Sequence, residues 1–380
     1  MLLRHIAVSC TDSGRCVPPA LYALAQTIDA SALPDEVFHI CTPTQGSREI
    51  ITPSPGKKWL ALDVISTAGI DTFAFSIDEH PLWIYAVDAH YIEPLKVDVL
   101  TVSNGDRYSV FVELDKKSAN YAIRVASNSA SQVIDTYALL SYTSLATGKR
   151  CENSTTESHA KLAASEPSIN RAGQTTAPDV AVFDQAQMKS FPPQFPVPAP
   201  EPAQTLFMHM KTYENSYTWA LNSTPLYHST LEAGKSPLLW QQPGAIDTSD
   251  GLTIVTENNT WVDIIFISND SGQPPHPIHK HSNKAFIIGG GKGSFEWSSV
   301  AEAAAVIPDN FNLDTPPYRD GFVVPASGRE PVWLAVRYHV VNPGAFMLHC
   351  HVQSHLSGGM AMVILDGVDE WPEVPDEYKN

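Results

Sequence analysis

At 380 residues the chain is too long for one small module and has enough length for two or three domains with real cores. A formal charge of −17 argues against a nucleic-acid binder, which needs a basic face, and against a polybasic membrane-surface protein. No apolar run approaches the roughly 18–20 residues of a spanning helix.

The first ten residues, Met1 to Cys10, hold a charge and a few apolar side chains but no secretory h-region. Four Asn-x-Ser/Thr sequons follow, at Asn153, Asn222, Asn258 and Asn269, which hints at a missing upstream leader or more. Cys10, Cys16, Cys41 and Cys151 are able to pair in an oxidising compartment, with connectivity open. Cys350 stands apart between two histidines.

Thirty prolines and 21 glycines cut the chain into short runs rich in Val, Ile, Tyr, Phe and Trp, which is β character. In the first half the pattern predicts strands over 59–65, 72–77, 83–87, 96–102, 108–114, 121–126 and 136–142. Asn104-Gly105 reads as a hairpin turn between two of them, because both residues tolerate positive φ. Seven short strands at this spacing suggest a sandwich or barrel.

From 151 to 205 Ser, Thr, Ala and Gln dominate, and 191–202 holds six prolines. Such a run resists a central sheet and reads as an extended interdomain linker. The β pattern resumes at Leu206, with strands expected over 253–256, 261–268, 285–288, 331–341, 346–351 and 360–365. The architecture is all-β: one domain over 1–150, a linker over 151–205, a second domain over 206–380. Gly289–Gly293 lacks the spacing of a phosphate loop and reads as a loop leaving a strand near the candidate metal residues.

Six of the 14 histidines crowd into two pieces, His276-Pro-Ile-His279-Lys-His281 and His349-Cys350-His351 followed by His355. His5, His39, His80, His90, His159, His209, His228 and His339 are isolated, and isolated histidines are usually structural. Side chains in a strand alternate faces, so His349 and His351 project to one side and Cys350 to the other. If the two pieces lie side by side, His279, His281, His349 and His351 converge as four imidazoles. His276 and Cys350 converge on the opposite face, where His355 can join them, and Met360 follows in a turn marked by Gly358 and Gly359. Two imidazoles, a thiolate and a weak thioether form the ligand set of a mononuclear blue-copper site. Four imidazoles on the other face suit further copper rather than structural zinc.

These two segments resemble the third and fourth copper-binding motifs of the multicopper oxidases, the laccase family. The approach Arg337–Gly344 is similar to the lead-in to the family's cysteine motif. Phe75–Asp78, Ala86–Asp88 and Gly105–Ser109 resemble its middle cupredoxin domain, and the fungal laccase-like branch is the nearest in feel. The resemblance implies two cupredoxin-like Greek-key domains, the family's middle and C-terminal ones. It implies type 1 copper ligands His276, Cys350 and His355 with Met360 axial, a type 2 ligand His279, and type 3 ligands His281, His349 and His351. Electron-rich phenols would be oxidised one electron at a time, as in pigment or secondary-metabolite coupling, with dioxygen as acceptor. With the sequons, it also implies secretion.

Departures from the family pattern accompany these matches. No other His-x-His pair occurs, so the chain holds the type 1 set but four of the eight trinuclear ligands that the family carries. Either it is truncated, or a second chain supplies the rest. Lys280, Ser282 and Asn283 stand where Leu, Gly and His are more usual. Two alternatives to the oxidase stay open: a blue-copper electron-transfer module with the type 1 site alone, and a metal-free non-redox scaffold.

Overall fold

The computed structural model describes residues 49–128, 135–142, 162–163, 166–192, 201–226 and 235–378. Cys10, Cys16, Cys41, Cys151, the sequon at Asn153, and His5, His39, His159 and His228 lie outside them, as do the prolines between 193 and 200. The chain divides into two compact units, the first ending at Gln187 and the second starting at Met188, except that His90–Glu93 belongs to the second.

The first unit carries a five-stranded sheet in the order Ile50–Ile51, Asp135–Ser141, Asn120–Ser127, Phe73–Ile77, Leu100–Val102. A four-stranded sheet runs Trp59–Ile65, Arg107–Glu113, Leu82–Val87, His90–Val97. Alternation selects the inward face: Leu82, Ile84, Val110 and Val112 are fully buried, while their neighbours Trp59 and Phe111 point outward, exposed.

Two expectations change here. The strand expected over 96–102 is split into strands of different sheets, His90–Val97 and Leu100–Val102. Asp98 and Val99 leave the ladder because both backbone N–H groups donate to the Ala181 carbonyl, while the Asp98 carboxylate accepts the Ala181 N–H. Asn104-Gly105 does turn, but not as a hairpin: only Gly105 has a positive φ, 83°, and the flanking strands lie in different sheets. The Asp106 carboxylate holds that turn by accepting the Ser103 N–H at 2.8 Å.

Part of the compositional linker is packed against a unit. Ile169 joins a core cluster with Ala74, Val99 and Ala126, and Phe183 meets Tyr108 edge-on. These few apolar positions outweigh the polar average of the segment. Beyond Gln187 the chain bonds to the second unit, with the Ser190 N–H donating to the Thr315 carbonyl.

His80 is a structural histidine of the first unit, its Nδ1 2.7 Å from the Asp78 carbonyl and its Nε2 2.8 Å from the Tyr142 hydroxyl. Burial lowers its pKa below 6.5, outweighing the Asp78 carbonyl that raises it. Folding therefore favours the neutral ring. That contribution is full above about pH 6.5 and fades as pH falls toward the lowered folded value. Thermal melts should show the first unit losing stability below about pH 6.5, and His80→Gln should flatten that slope. An unchanged slope in the variant would assign the acid sensitivity elsewhere.

The second unit stacks two five-stranded sheets. One runs Gln204–His209, Trp261–Ser268, Val332–His339, Ala285–Lys292, Tyr318–Arg319; the other runs Thr253–Val255, Ala361–Asp366, Gly344–Cys350, His276–Lys280, Gly321–Val324. Phe266 of the first sheet meets Phe322 of the second with ring centroids 5.5 Å apart, which marks the core between them. Gly289–Lys292 continue the Ala285 strand and form no loop. The glycines are required because a Cβ at Gly289 would come within 2.4 Å of the Phe311 ring, and one at Gly291 within 2.9 Å of Trp333. His339 is also structural, stacked on Trp261 with centroids 4.6 Å apart. Asn269 is exposed just past a strand end. Among the described residues no helix is long and apolar enough to cross a membrane.

Candidate metal centre

The two histidine-rich pieces are neighbouring antiparallel strands. Their register sets Ile278 opposite Cys350, His279 opposite His349 and Lys280 opposite Leu348. Strand parity does the rest. On one face the ring centroids of His279 and His281 lie 4.8 Å apart, His281 and His349 5.2 Å, His279 and His349 5.5 Å, and His349 and His351 5.8 Å. The Nε2 atoms of His281 and His349 approach to 3.2 Å.

Backbone carbonyls orient two of these rings. The Asp320 carbonyl lies 3.0 Å from His279 Nδ1, and the Cys350 carbonyl 2.9 Å from His349 Nδ1. A proton on Nδ1 satisfies each carbonyl and leaves Nε2 as an electron-pair donor toward the cluster. Burial is the first cause lowering the pKa of His279, His281 and His349, with neighbouring imidazoles adding to it. Neutral imidazoles are what a metal requires.

On the opposite face Cys350 Sγ lies 3.8 Å from His276 Nδ1 and 3.6 Å from His355 Nδ1, and the three donor atoms fall within 4.8 Å of one another. His276 and Cys350 are fully buried. His355 reaches the group from a short helix, Gln353–Ser357, that follows the cysteine strand. Burial, with His355 alongside, pushes His276 down to about 3, and burial pushes His355 down to about 4. Burial raises the Cys350 thiol to about 12. Met360 is fully buried. Its N–H donates to the His355 carbonyl at 2.9 Å and its carbonyl accepts the Cys350 N–H at 3.0 Å, so its backbone is tied to both residues.

One thiol and two neutral imidazoles, sealed from water, fit a soft-donor copper site, and among the described residues they lack the fourth strong ligand of closed structural zinc. The donor chemistry therefore accepts copper. Among the described residues His276 Nε2 is buried and has no hydrogen-bond partner, a cost that the fold tolerates at this site.

Sequence reasoning missed Trp219. It sits on the hairpin formed by Lys211–Tyr213 and Asn215–Ala220, 57 residues before the first ligand piece. Its indole stacks on His355 with centroids 3.9 Å apart and planes at 27°, and meets His276 edge-on at 5.5 Å. Gly358 permits this, since a Cβ there would come within 2.4 Å of the Tyr217 carbonyl and 3.0 Å of the Trp219 ring. No motif spacing announces such a contact; only the fold brings it.

Comparison with known proteins agrees with this geometry. Multicopper oxidase family models match residues 28–144 and 202–370. Multicopper oxidase elcG of Phaeosphaeria nodorum is 39% identical over 97% of this chain and 57% of its own length. Laccase abr2 of Aspergillus fumigatus is 38% identical over 88% of this chain and 54% of its own. The chain thus spans little more than half the length of these relatives. Among solved structures, the laccase of Botrytis aclada superposes with a TM-score of 0.60 at 23% identity, over 91% of this chain and 57% of that one. Fet3p, a multicopper oxidase that functions in iron import, gives 0.60 at 17%, over 87% and 60%. Those structures carry the all-β, cupredoxin-like fold, and the sequence matches carry the lineage: the chain belongs to the multicopper oxidase family, on its fungal laccase-like side.

Proposed function

We propose that this chain is the middle and C-terminal part of a laccase-type, copper-dependent oxidoreductase. It would take single electrons from phenolic substrates, as in pigment or secondary-metabolite coupling, and deliver them to dioxygen. The two compact units would be the family's middle and C-terminal cupredoxin domains. The observation that carries the reading is the two-faced cysteine strand. One face holds a thiol with imidazoles at 3.6 and 3.8 Å, and the other holds four imidazoles with an Nε2–Nε2 approach of 3.2 Å.

Cys350, His276 and His355, with Met360 as a fourth, weak ligand, would hold a type 1 copper, His279 a type 2 ion, and His281, His349 and His351 a type 3 pair. Bound copper supplies one-electron redox chemistry that no protein side chain here provides. The chain supplies the rest. Neutral His276 and His355 offer lone pairs without losing a proton, and Cys350 gives up its thiol proton as it becomes a ligand. Trp219 covers the His355 ring and keeps water from it. The Cys350 backbone joins the two faces through a few covalent bonds to His349 and His351. Four further imidazoles, from another segment or a second chain, would complete the trinuclear group. The sequons and the family resemblance support secretion.

Copper counting with oxygen uptake tests the reading. Type 1, 2 and 3 signals with phenol-coupled oxygen uptake are expected once the missing ligands are supplied. A single blue copper with stoichiometric phenol oxidation and no oxygen uptake under that condition would instead support the electron-transfer module, and no copper the metal-free scaffold. A thioether stabilises Cu(II) over Cu(I), so Met360→Leu should raise the type 1 potential while the site stays blue. A redox titration with no shift would remove Met360 from the ligand set.

A further inference from the structure

Between the sheets of the second unit, Lys280 is fully buried although His279 and His281, its neighbours in sequence, face the imidazole cluster. Its Nζ lies 3.3 Å from Asp366 Oδ2, donates to the His281 carbonyl at 3.3 Å, and sits 4.0 Å from the centre of the Tyr338 ring. Asp366, also fully buried, accepts three more hydrogen bonds, from Asn283 Nδ2 at 2.8 Å and from the Thr256 and Tyr338 hydroxyls at 2.9 Å each. Both carboxylate oxygens are therefore fully used.

Asn283 extends the network toward the cysteine strand. Its Oδ1 accepts the Val341 N–H at 3.2 Å, and its Nδ2 lies 3.4 Å from the Asn342 carbonyl. Asn342 in turn donates to the Ser282 hydroxyl at 2.7 Å, at a residue held in left-handed backbone with φ 66°. The turn after His281 is thus tied to the turn that enters the Gly344–Cys350 strand bearing His349. Lys280, Ser282 and Asn283 belong to one connected arrangement.

Replacing a buried ion pair with apolar side chains is often neutral or stabilising, so stability alone does not account for charge at this place. A metal site, in contrast, needs its ligand atoms held to about half an ångström. Resting on the copper reading above, we propose that Lys280 and Asp366 are positioning residues: through Asn283 they fix the His281 segment against the His349 segment, so that the imidazoles meet at metal-binding distance.

The test uses the full chain titrated with Cu(II) and followed by electron paramagnetic resonance. That method separates blue copper, with its small hyperfine splitting, from ordinary nitrogen-ligated copper. Lys280→Met keeps three donors on Asp366, and the double variant Lys280→Met with Asp366→Asn strands no charge; melting curves report whether each folds. Expected are wild-type chain with both signals, and folded variants that keep the blue signal but bind the nitrogen-ligated copper at least tenfold more weakly. A folded double variant with the wild-type nitrogen-ligated spectrum and affinity would overturn the proposal. So would loss of both signals together in a folded variant, since that effect is not local to the imidazole face. Wild-type chain with the blue signal alone and a single copper per chain by metal analysis would show that these imidazoles hold no metal by themselves and would also overturn it. Wild-type chain with neither signal would overturn the copper reading itself.

Discussion

Cys350→Ser should remove essentially all of the intense thiolate-to-copper colour, while His349→Ala should leave it standing. The two residues are adjacent, so a model based on proximity alone predicts similar damage. Strand alternation separates them. The Cys350 thiol faces His276 Nδ1 and His355 Nδ1 at 3.8 and 3.6 Å. The His349 ring faces away, with its Nε2 3.2 Å from that of His281. A serine hydroxyl in the Cys350 position is nearly isosteric but is a hard, weakly covalent donor, and the colour depends on the soft sulfur. His349→Ala should instead weaken copper at the imidazole face. Visible absorption and copper content of the two variants, prepared side by side, decide the matter. Loss of the blue band in both would mean that the two faces are not independent.

That separation was readable before any coordinates, because it needs only the period-two alternation of a strand and the odd or even numbers of the histidines. The register that opposes His279 to His349 was not readable; only its precondition, that the two pieces lie together, was available as a conditional. Most strand positions were also legible, since alternating or continuous apolar runs rich in β-branched and aromatic residues mark them. The failures share one cause, long-range packing. Asp98 and Val99 break an apolar run because a carbonyl about 80 residues downstream takes both N–H groups. Gly289–Gly291 look like a loop and form a strand because Phe311 and Trp333 lie against their backbone. Trp219 stacks on His355 from a hairpin with no sequence mark of its purpose. Lys280 lies beside two ligands, and its burial depends on a carboxylate 86 positions away.

Asp263→Ala is expected to be among the most destabilising single changes in the second unit. Asp263 is fully buried and directly opposite Arg337 in the ladder between Trp261–Ser268 and Val332–His339. The pair is bidentate, with Nη2 to Oδ2 at 2.7 Å and Nε on Oδ1. Truncating the carboxylate removes a bidentate counter-charge from a buried guanidinium, a loss of about 3–5 kcal/mol from a total of about 5–15 kcal/mol for a typical domain. In a unit of this size that lowers the melting temperature by about 10 °C. Removing both charges with well-packed apolar side chains should recover most of the loss, because no ion is then stranded. What the recovered variant lacks is a marker of register. Nearly every residue of Trp261–Ser268 is buried, so apolar patterning alone distinguishes poorly between this pairing and one slipped by a residue. A charge pair made when Asp263 meets Arg337 favours this register. The register then carries forward through Tyr338 and the Asn342 turn into the strand that bears His349 and Cys350. Urea midpoints should therefore rank the single variant well below wild type and the double variant near it. Copper uptake in the double variant should be more heterogeneous than in wild type. A single variant within about 0.5 kcal/mol of wild type, the range of ordinary surface changes, would mean that Arg337 has reached solvent or another acceptor, and the register argument would fall with it.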